Sequence, residues 1–533
     1  MTATNPEASH AAAIAGAALP LAVPAAYAAG AGAVAALRHL PAAAWRAAGI
    51  AAGTAVAAAA ATALHAAIAA ANGWPAATLP QVVLLAFASF LGLVLARFAR
   101  SYLAGERGEG AFAGWLLATL AGATFVLAAD DLLLLSLGWV ATSLALQRLL
   151  TFYRDRPHAL VAAREKFLVG RCADFCMLTA TALLATRAGT LDLDALGAMA
   201  TRGELGAEGR VAIGFVAVAA LLKCAQMPFH GWLLRVMEAP TPVSALLHAG
   251  VVNLGGFVLL RLAPLAADAP VAQFLLVAVG GATAAVAALA TSAQPSAKSA
   301  LAWSTCAQMG FLMVQCGLGL FEMALLHLVA HSAYKAHAFL TAASRVQTSA
   351  ADALLPAGPG PGPGGRLRAA AAGALVVAAI GLALDASIFT TPATLVGALV
   401  LALALAPLLE SRAEPRGAMA RNVTLAAALA AIWIGLHGAL RTALGLPATP
   451  PGGWPLAALA LVVMAPLPLV RLLLAWRPGH PAVAGLHAVC QRGFFLDEWF
   501  TRVALRTWRM SPFVADAAFV PDLSTAPRAR GEL

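Results

Sequence analysis

The chain has 533 residues, of which 61% are hydrophobic and only 11% charged, with a mean hydropathy of +0.82. Soluble domains carry about 25% charged residues, so this composition excludes a soluble globular protein and places the chain in a lipid bilayer. The formal net charge of +10 gathers in connections between apolar runs, a pattern of membrane topology rather than of nucleic-acid binding.

A span needs about 20 predominantly apolar residues. In chain order such runs fall near 10–37, 44–72, 79–97, 111–129, 131–153, 166–187, 211–228, 240–262, 272–292, 298–318, 322–344, 369–389, 391–410, 422–442 and 453–474. The expected fold class is an all-α polytopic membrane protein with about 14–15 transmembrane helices. "MTATNPEASH" has no basic residue before the first apolar run, unlike a cleaved signal peptide, so the first span is expected to remain. Arg and Lys collect at Arg38–Arg46, Arg97–Arg107, Arg154–Lys166, Arg345–Arg368, Arg412–Arg421 and Arg471–Arg477, while the alternate connections carry almost none. The positive-inside rule puts the basic set in the cytoplasm, the N-terminus outside and the C-terminus inside, in a cell inner membrane.

The predicted organisation is N-terminal helices over 1–110, a core over 111–345, a Pro/Gly loop over 346–368, further helices over 369–475 and a cytoplasmic segment with its tail over 476–533. "PAGPGPGPGG" (Pro356–Gly365) reads as non-helical. "HAVCQRGFFLDEWFTRVALRTWRM" (His487–Met510) mixes aromatics with charges and reads as amphipathic, suited to a membrane surface or a partner. Residues 511–533 read as a loose tail.

The cysteines at 172, 176, 224, 306, 316 and 490 form no CxxC and no zinc-ligand spacing. There is no Walker loop, dinucleotide fingerprint or nucleophile elbow either. No metal, no cofactor and no catalytic site are expected.

The informative residues are the ionisable ones inside apolar runs, where a charge at the bilayer centre costs about 2.5–3.5 kcal/mol. Lys223 lies deep in its span, just before a helix break expected at Met227-Pro228. His248 follows in "PTPVSALLHAG", where a purely structural histidine is equally consistent. Lys298 begins its span, where a snorkelling side chain is the simpler explanation. In "HLVAHSAYKAHAFL" the spacing of four puts His327, His331 and Lys335 on one helix face, with His337 on another. Three titratable groups in a row are hard to explain as packing and suit a proton relay. Asp130, Asp131, Asp174 and Glu238 are the candidate counter-charges.

"KCAQMPFHGWLLRVMEAPTPVSALLHAGVVNLGGFVLLR" (Lys223–Arg261), "AKSALAWSTCAQMGFLM" (Ala297–Met313) and "LLHLVAHSAYKAHAFLTAAS" (Leu325–Ser344) resemble successive signatures of the antiporter-like subunits of respiratory complex I, above all its L subunit, and of Mrp cation antiporters. The resemblance implies a fourteen-helix core, two inverted five-helix repeats with broken helices, and a central hydrophilic axis. On this sequence the family's channel residues fall at Lys223, His248, His327, His331 and Lys335, with Lys298 nearby. One departure is pronounced. The family's fifth helix reads Gly-Trp-Glu, and here Val140 stands in the glutamate's place within "LGWVATSLALQRLLTFYRDRP" (Leu137–Pro157). An exit-side lysine of the twelfth helix and a long lateral helix are also missing. "REKFLVGRCAD" (Arg164–Asp174) and "GFFLDEWFTR" (Gly493–Arg502) extend that match, and "LQRLLTFYRDRPHALVAAREKFLVGRCAD" (Leu146–Asp174) together with these departures looks most like the Dab-type membrane subunits. That resemblance implies a large cytoplasmic zinc-containing partner related to carbonic anhydrases, and inorganic carbon uptake driven by H⁺ or Na⁺. A proton-pumping subunit of an NADH-quinone oxidoreductase and an Mrp-type antiporter subunit are the competing readings.

Overall fold

The computed structural model describes residues 6–342, 362–410, 416–444, 453–476 and 480–507. The tail beyond 507 and most of the loop expected at 346–368 lie outside the described residues. Among the described residues the secondary structure is helical apart from turns and one isolated bridge between Asp131 and Asp192.

The helices are α1 (Pro6–Leu37), α2 (Pro41–Asn72), α3 (Leu79–Tyr102), α4 (Glu109–Ala128), α5 (Leu132–Leu150), α6 (Pro157–Ala188), α7 (Leu193–Thr201), α8 (Gly206–Lys223), α9 (Gly231–Arg235), α10 (Thr241–Ala249) and α11 (Leu254–Arg261). They continue as α12 (Ala263–Ala267), α13 (Pro270–Ser292), α14 (Ala297–Gly317), α15 (Phe321–Leu340), α16 (Pro363–Leu384), α17 (Pro392–Leu409), α18 (Arg416–Ala443), α19 (Gly453–Met464), α20 (Pro466–Trp476), α21 (Pro481–Gln491) and α22 (Leu496–Thr507). Among the described residues twelve helical segments are long and apolar enough to cross a membrane. The helices α8, α14 and α15 do not meet that measure, yet they pack among the twelve; α8 carries Lys223, α15 the His/Lys row and α14 the residues that face it.

Several boundaries differ from the sequence reading for physical reasons. The helix α6 starts at Pro157 rather than near 166. The charges that marked this stretch as interfacial are paired instead: Glu165 with Arg235, and Lys166 with Ser143. The helix α16 starts at Pro363, inside the segment read as non-helical, with proline in the first turn, where its missing N–H costs no hydrogen bond. The first break also comes earlier than Pro228. The helix α8 ends at Lys223 itself, and Ala225 takes a positive φ of 51°. The corresponding segment five spans on ends at Leu384, where Asp385 is extended and caps a short 3₁₀ turn over Ala386–Phe389.

The centre is held by close helix contacts through small residues, as expected where lipid and leucine are equally apolar. The contact between α13 and α14 is the most extensive of the fold. A Cβ on Gly310 would stand 2.5 Å from the Gly280 carbonyl oxygen, and one on Gly280 would stand 2.7 Å from that of Gly310. The prediction is that Gly310→Val forces α14 away from α13, at a cost of about 1–3 kcal/mol from overpacking. It should appear as a lowered melting temperature of the detergent-solubilised chain, whereas valine at Gly435, which meets nothing within 4 Å, should leave it unchanged.

Candidate ion pathway

Among the described residues, two of the buried polar groups hold most of the predicted pathway residues. The larger lies between α14 and α15, which run antiparallel. Lys335 donates to the Leu301 carbonyl at 3.0 Å and to Ser304 Oγ at 2.9 Å. His331 Nδ1 meets Gln308 Oε1 at 2.5 Å, and His327 Nδ1 meets Gln315 Oε1 at 2.9 Å. Each residue of the α15 row therefore faces a polar residue of α14, and Gln308 Nε2 reaches Ser304 Oγ at 3.4 Å to join neighbouring rungs. The row predicted on one face of α15 is indeed lined up, and His337 is exposed on another face.

The helix α10 closes this group. His331 Nε2 lies 3.1 Å from the His248 carbonyl oxygen, and His248 Nδ1 lies 3.0 Å from Thr305 Oγ1. The His248 ring stacks on Phe339 with centroids 4.4 Å apart, and its Nε2 has no hydrogen-bond partner. His248 and Lys335 are both 0% exposed. An imidazole can accept and release a proton near neutral pH. A line of such groups fixed by amides and hydroxyls has the chemistry that a proton path uses.

The second group surrounds Lys223. Its ammonium sits 4.2 Å from the centroid of the Trp139 ring and 3.4 Å from the Trp139 carbonyl oxygen. A cation–π contact thus serves it next to Val140, the position where the resemblance to the complex I subunits implies a carboxylate. Asp174 is buried and pairs with Arg171 at 2.5 Å, while acting electrostatically on Lys166 and Lys223. Lys166 is buried too, and donates to the Ser143 carbonyl at 2.5 Å and to Ser143 Oγ at 3.1 Å. Among the described residues no hydrogen bond joins Lys223 to His248, so passage between the two groups needs intervening water.

Other candidates fall elsewhere. Glu238 is not part of the buried groups: it is half-exposed and faces Arg156 at 4.0 Å. Asp131 caps α5 through the Leu133 and Leu134 amides, and Asp130 pairs with Arg261 at 2.7 Å at the surface. Lys298 is half-buried in the first turn of α14 and has no hydrogen bond or ion pair to the row. Pro228 lies within the non-helical connection that follows Lys223. Sequence reasoning missed Lys166, read as a topological charge, and the α14 partners Ser304, Gln308 and Gln315. The spacing of four between Ser304 and Gln308 was the available signal. Among the described residues no group of His, Cys, Asp or Glu is arranged to hold a metal ion.

The family described as NADH:quinone oxidoreductase/Mrp antiporter, TM, matches residues 129–354, a range holding all six predicted pathway residues. Over a longer stretch the chain is 36% identical to the probable inorganic carbon transporter subunit DabB of Hydrogenovibrio crunogenus, covering 83% of this chain and 85% of that one. It is 38% identical to the subunit DabB2 of Halothiobacillus neapolitanus, covering 80% and 79%. The chain belongs to the DabB family. Likeness to NADH-quinone oxidoreductase subunit L of Rhodobacter capsulatus, at 35%, covers only 40% of this chain and 32% of that one. The chain thus shares its central part with complex I subunits and about four-fifths of its length with the carbon transporter subunits. In fold, the chain is similar to the Mrp complex of Dietzia sp. DQ12-45-1b, with a TM-score of 0.53 at 24% identity over 94% of this chain and 58% of that one. It is also similar to the membrane-bound sulfane sulfur reductase, an archaeal respiratory complex, with a TM-score of 0.54 at 17% identity over 92% and 96%.

One feature of this chain ties the matched range to residues beyond it. Arg235, at the end of α9, bridges Glu165 of α6 and Asp497 of α22, with Nη1 2.7 Å from Glu165 Oε1 and Nη2 2.8 Å from Asp497. Phe229 packs edge-on against Phe500 at 5.3 Å. The C-terminal helix therefore grips the connection that follows Lys223. Arg235→Ala should leave a fully buried Glu165 unpaired and cost about 3–5 kcal/mol. The double variant Arg235→Ala/Glu165→Ala should recover part of it; thermal unfolding of the solubilised chains reads both.

Proposed function

We propose that this chain is the ion-conducting membrane subunit of an energy-coupled uptake complex for inorganic carbon, CO₂ or bicarbonate. The observation that carries the reading is the hydrogen-bonded row of His327, His331 and Lys335 along α14 in a chain of the DabB family. H⁺ or Na⁺ would run down its gradient through Lys223, His248, His331 and Lys335, with Asp174 and Arg171 setting the local charge. The relatives are described as subunits, which supports action within an assembly. The partner that fits is a large cytoplasmic zinc protein of carbonic-anhydrase type, to which this chain lends the ion gradient while having no catalytic site of its own. The distribution of Arg and Lys supports an N-terminus outside and a C-terminus in the cytoplasm.

The competing reading, a proton-pumping subunit of an NADH-quinone oxidoreductase or Mrp-type complex, draws on the central signatures alone. The contact between Lys223 and Trp139, without a carboxylate at position 140, weighs against it.

Lys223→Ala should abolish ion-driven carbon uptake while the chain remains in the membrane at its usual level. Uptake at the parent rate in that variant removes the conduction reading. Gentle purification should bring down one large soluble zinc protein. Iron–sulfur and flavin subunits would move the chain to the redox pumps, and several small hydrophobic subunits to the antiporters.

A further inference from the structure

At the end of the fold away from Lys335, a cavity of about 540 Å³ opens among α11, α12, α15 and α18. Its rim carries the exposed Asp194 and Thr201. Among the residues at its inner wall is Glu322, in the first turn of α15, which is buried against His437 of α18. Glu322 Oε1 and His437 Nδ1 lie 3.0 Å apart, both side chains 2% exposed, yet neither atom has an aligned hydrogen bond. On its other side His437 stacks on Trp433, with centroids 5.9 Å apart. Trp433 in turn lines a second cavity of about 260 Å³, and Gln315, the partner of His327, lines that same cavity. Glu322 thus borders the outer cavity, while Trp433, stacked on its partner His437, borders a largely apolar second cavity that reaches Gln315 at the first rung of the α14–α15 row.

We propose that the Glu322–His437 pair is the proton-loading site of the pathway, taking protons from the outer cavity and passing them along the start of α15 to His327. The inference rests on the conduction reading above. Geometry favours a proton over Na⁺, because a hard cation seeks a shell of oxygen ligands, whereas one carboxylate against an imidazole edge is a place to hold a proton. The distance is short: at about 1.5 Å of rise per residue, Glu322 and His327 are separated by roughly 7.5 Å along α15. The outer cavity is charged, polar and large enough for water. Around the pair stand Arg441 on α18 and Asp385, whose Oδ2 would lie 3.6 Å from a Cβ on Gly438. Further out, Arg261 pairs with Asp130 and Asp268 with Arg210. Nothing in the sequence pattern joins Glu322 to His437, since they stand on helices separated by two others.

The test uses proteoliposomes holding the whole chain with its co-purified partners, and reads proton uptake with an internal pH-sensitive dye under an imposed potential. Glu322→Gln and His437→Gln should each lower proton flux at least tenfold with unchanged reconstitution, while Glu322→Asp should retain most of it and so exclude a folding defect. Parent flux in both Gln variants, with flux abolished in Lys223→Ala, overturns the loading site and leaves conduction standing. Parent flux in Lys223→Ala overturns the conduction reading on which the site depends. Flux that requires Na⁺ and carries ²²Na⁺ past the pair overturns the proton assignment.

Discussion

Everything in the interior depends on one constraint: a polar side chain among apolar helices must find its partner within the protein. The antiparallel pairing of α14 and α15 meets that constraint for three titratable residues at once. Lys335 finds Ser304, His331 finds Gln308, and His327 finds Gln315. The register is fixed from behind by the contact of Gly310 with Gly280, because α14 has little freedom to slide along α13. Close packing of small residues and alignment of the polar row are therefore two faces of the same helix.

The group around Lys223 solves a different problem. Lys166, Arg171 and Lys223 crowd a single carboxylate, Asp174, inside the membrane. Arg171 takes the direct ion pair, Lys166 is absorbed by the Ser143 hydroxyl and carbonyl, and Lys223 rests on the face of Trp139. An aromatic ring is a weaker partner for an ammonium than a carboxylate, worth about 0.5–2 kcal/mol. It leaves Lys223 less firmly held than a lysine facing an acid at position 140 would be. The position of Lys223 as the final residue of α8 adds to this, since the backbone beyond it leaves the helix at once.

Much of this was legible in the sequence, because helix periodicity turns a spacing of four into a face. The row on α15 followed from that, while Lys223 stood out by its depth in an apolar run just before a helix break. What periodicity does not supply is the identity of a partner on another helix. Lys166 looked like one more basic residue at an interface until α6 proved to begin at Pro157 and carry it inward. Glu322 looked like a lone acid because His437 comes 115 residues later. Hydropathy has a complementary blind spot. The helices α8, α14 and α15 carry charged or polar residues within their apolar runs, so a strict measure of hydropathy and charge leaves them out although they pack among the spans. Proline misled in a third way, being read as a helix breaker at Pro363, where it begins a helix.

The two polar groups share one mechanical neighbour. The helix α22 holds Arg235 through Asp497, and the turn before it places Gly493 directly against the Trp303 ring, one residue from Ser304 of the α14 row. His230, in the connection after Lys223, packs on the other side of this same tryptophan neighbourhood, with ring centroids 5.2 Å apart. A displacement of the C-terminal segment therefore cannot be confined to the surface. Close-packed interiors transmit strain rather than absorb it, and Trp303 has no space to yield against Gly493. Phe495, Leu496 and Trp499 on the outer side of this segment remain exposed. The segment thus presents apolar side chains outward while its charged residues reach the break beside Lys223. Any force applied to that outer face reaches the Lys223 connection and the α14 row together.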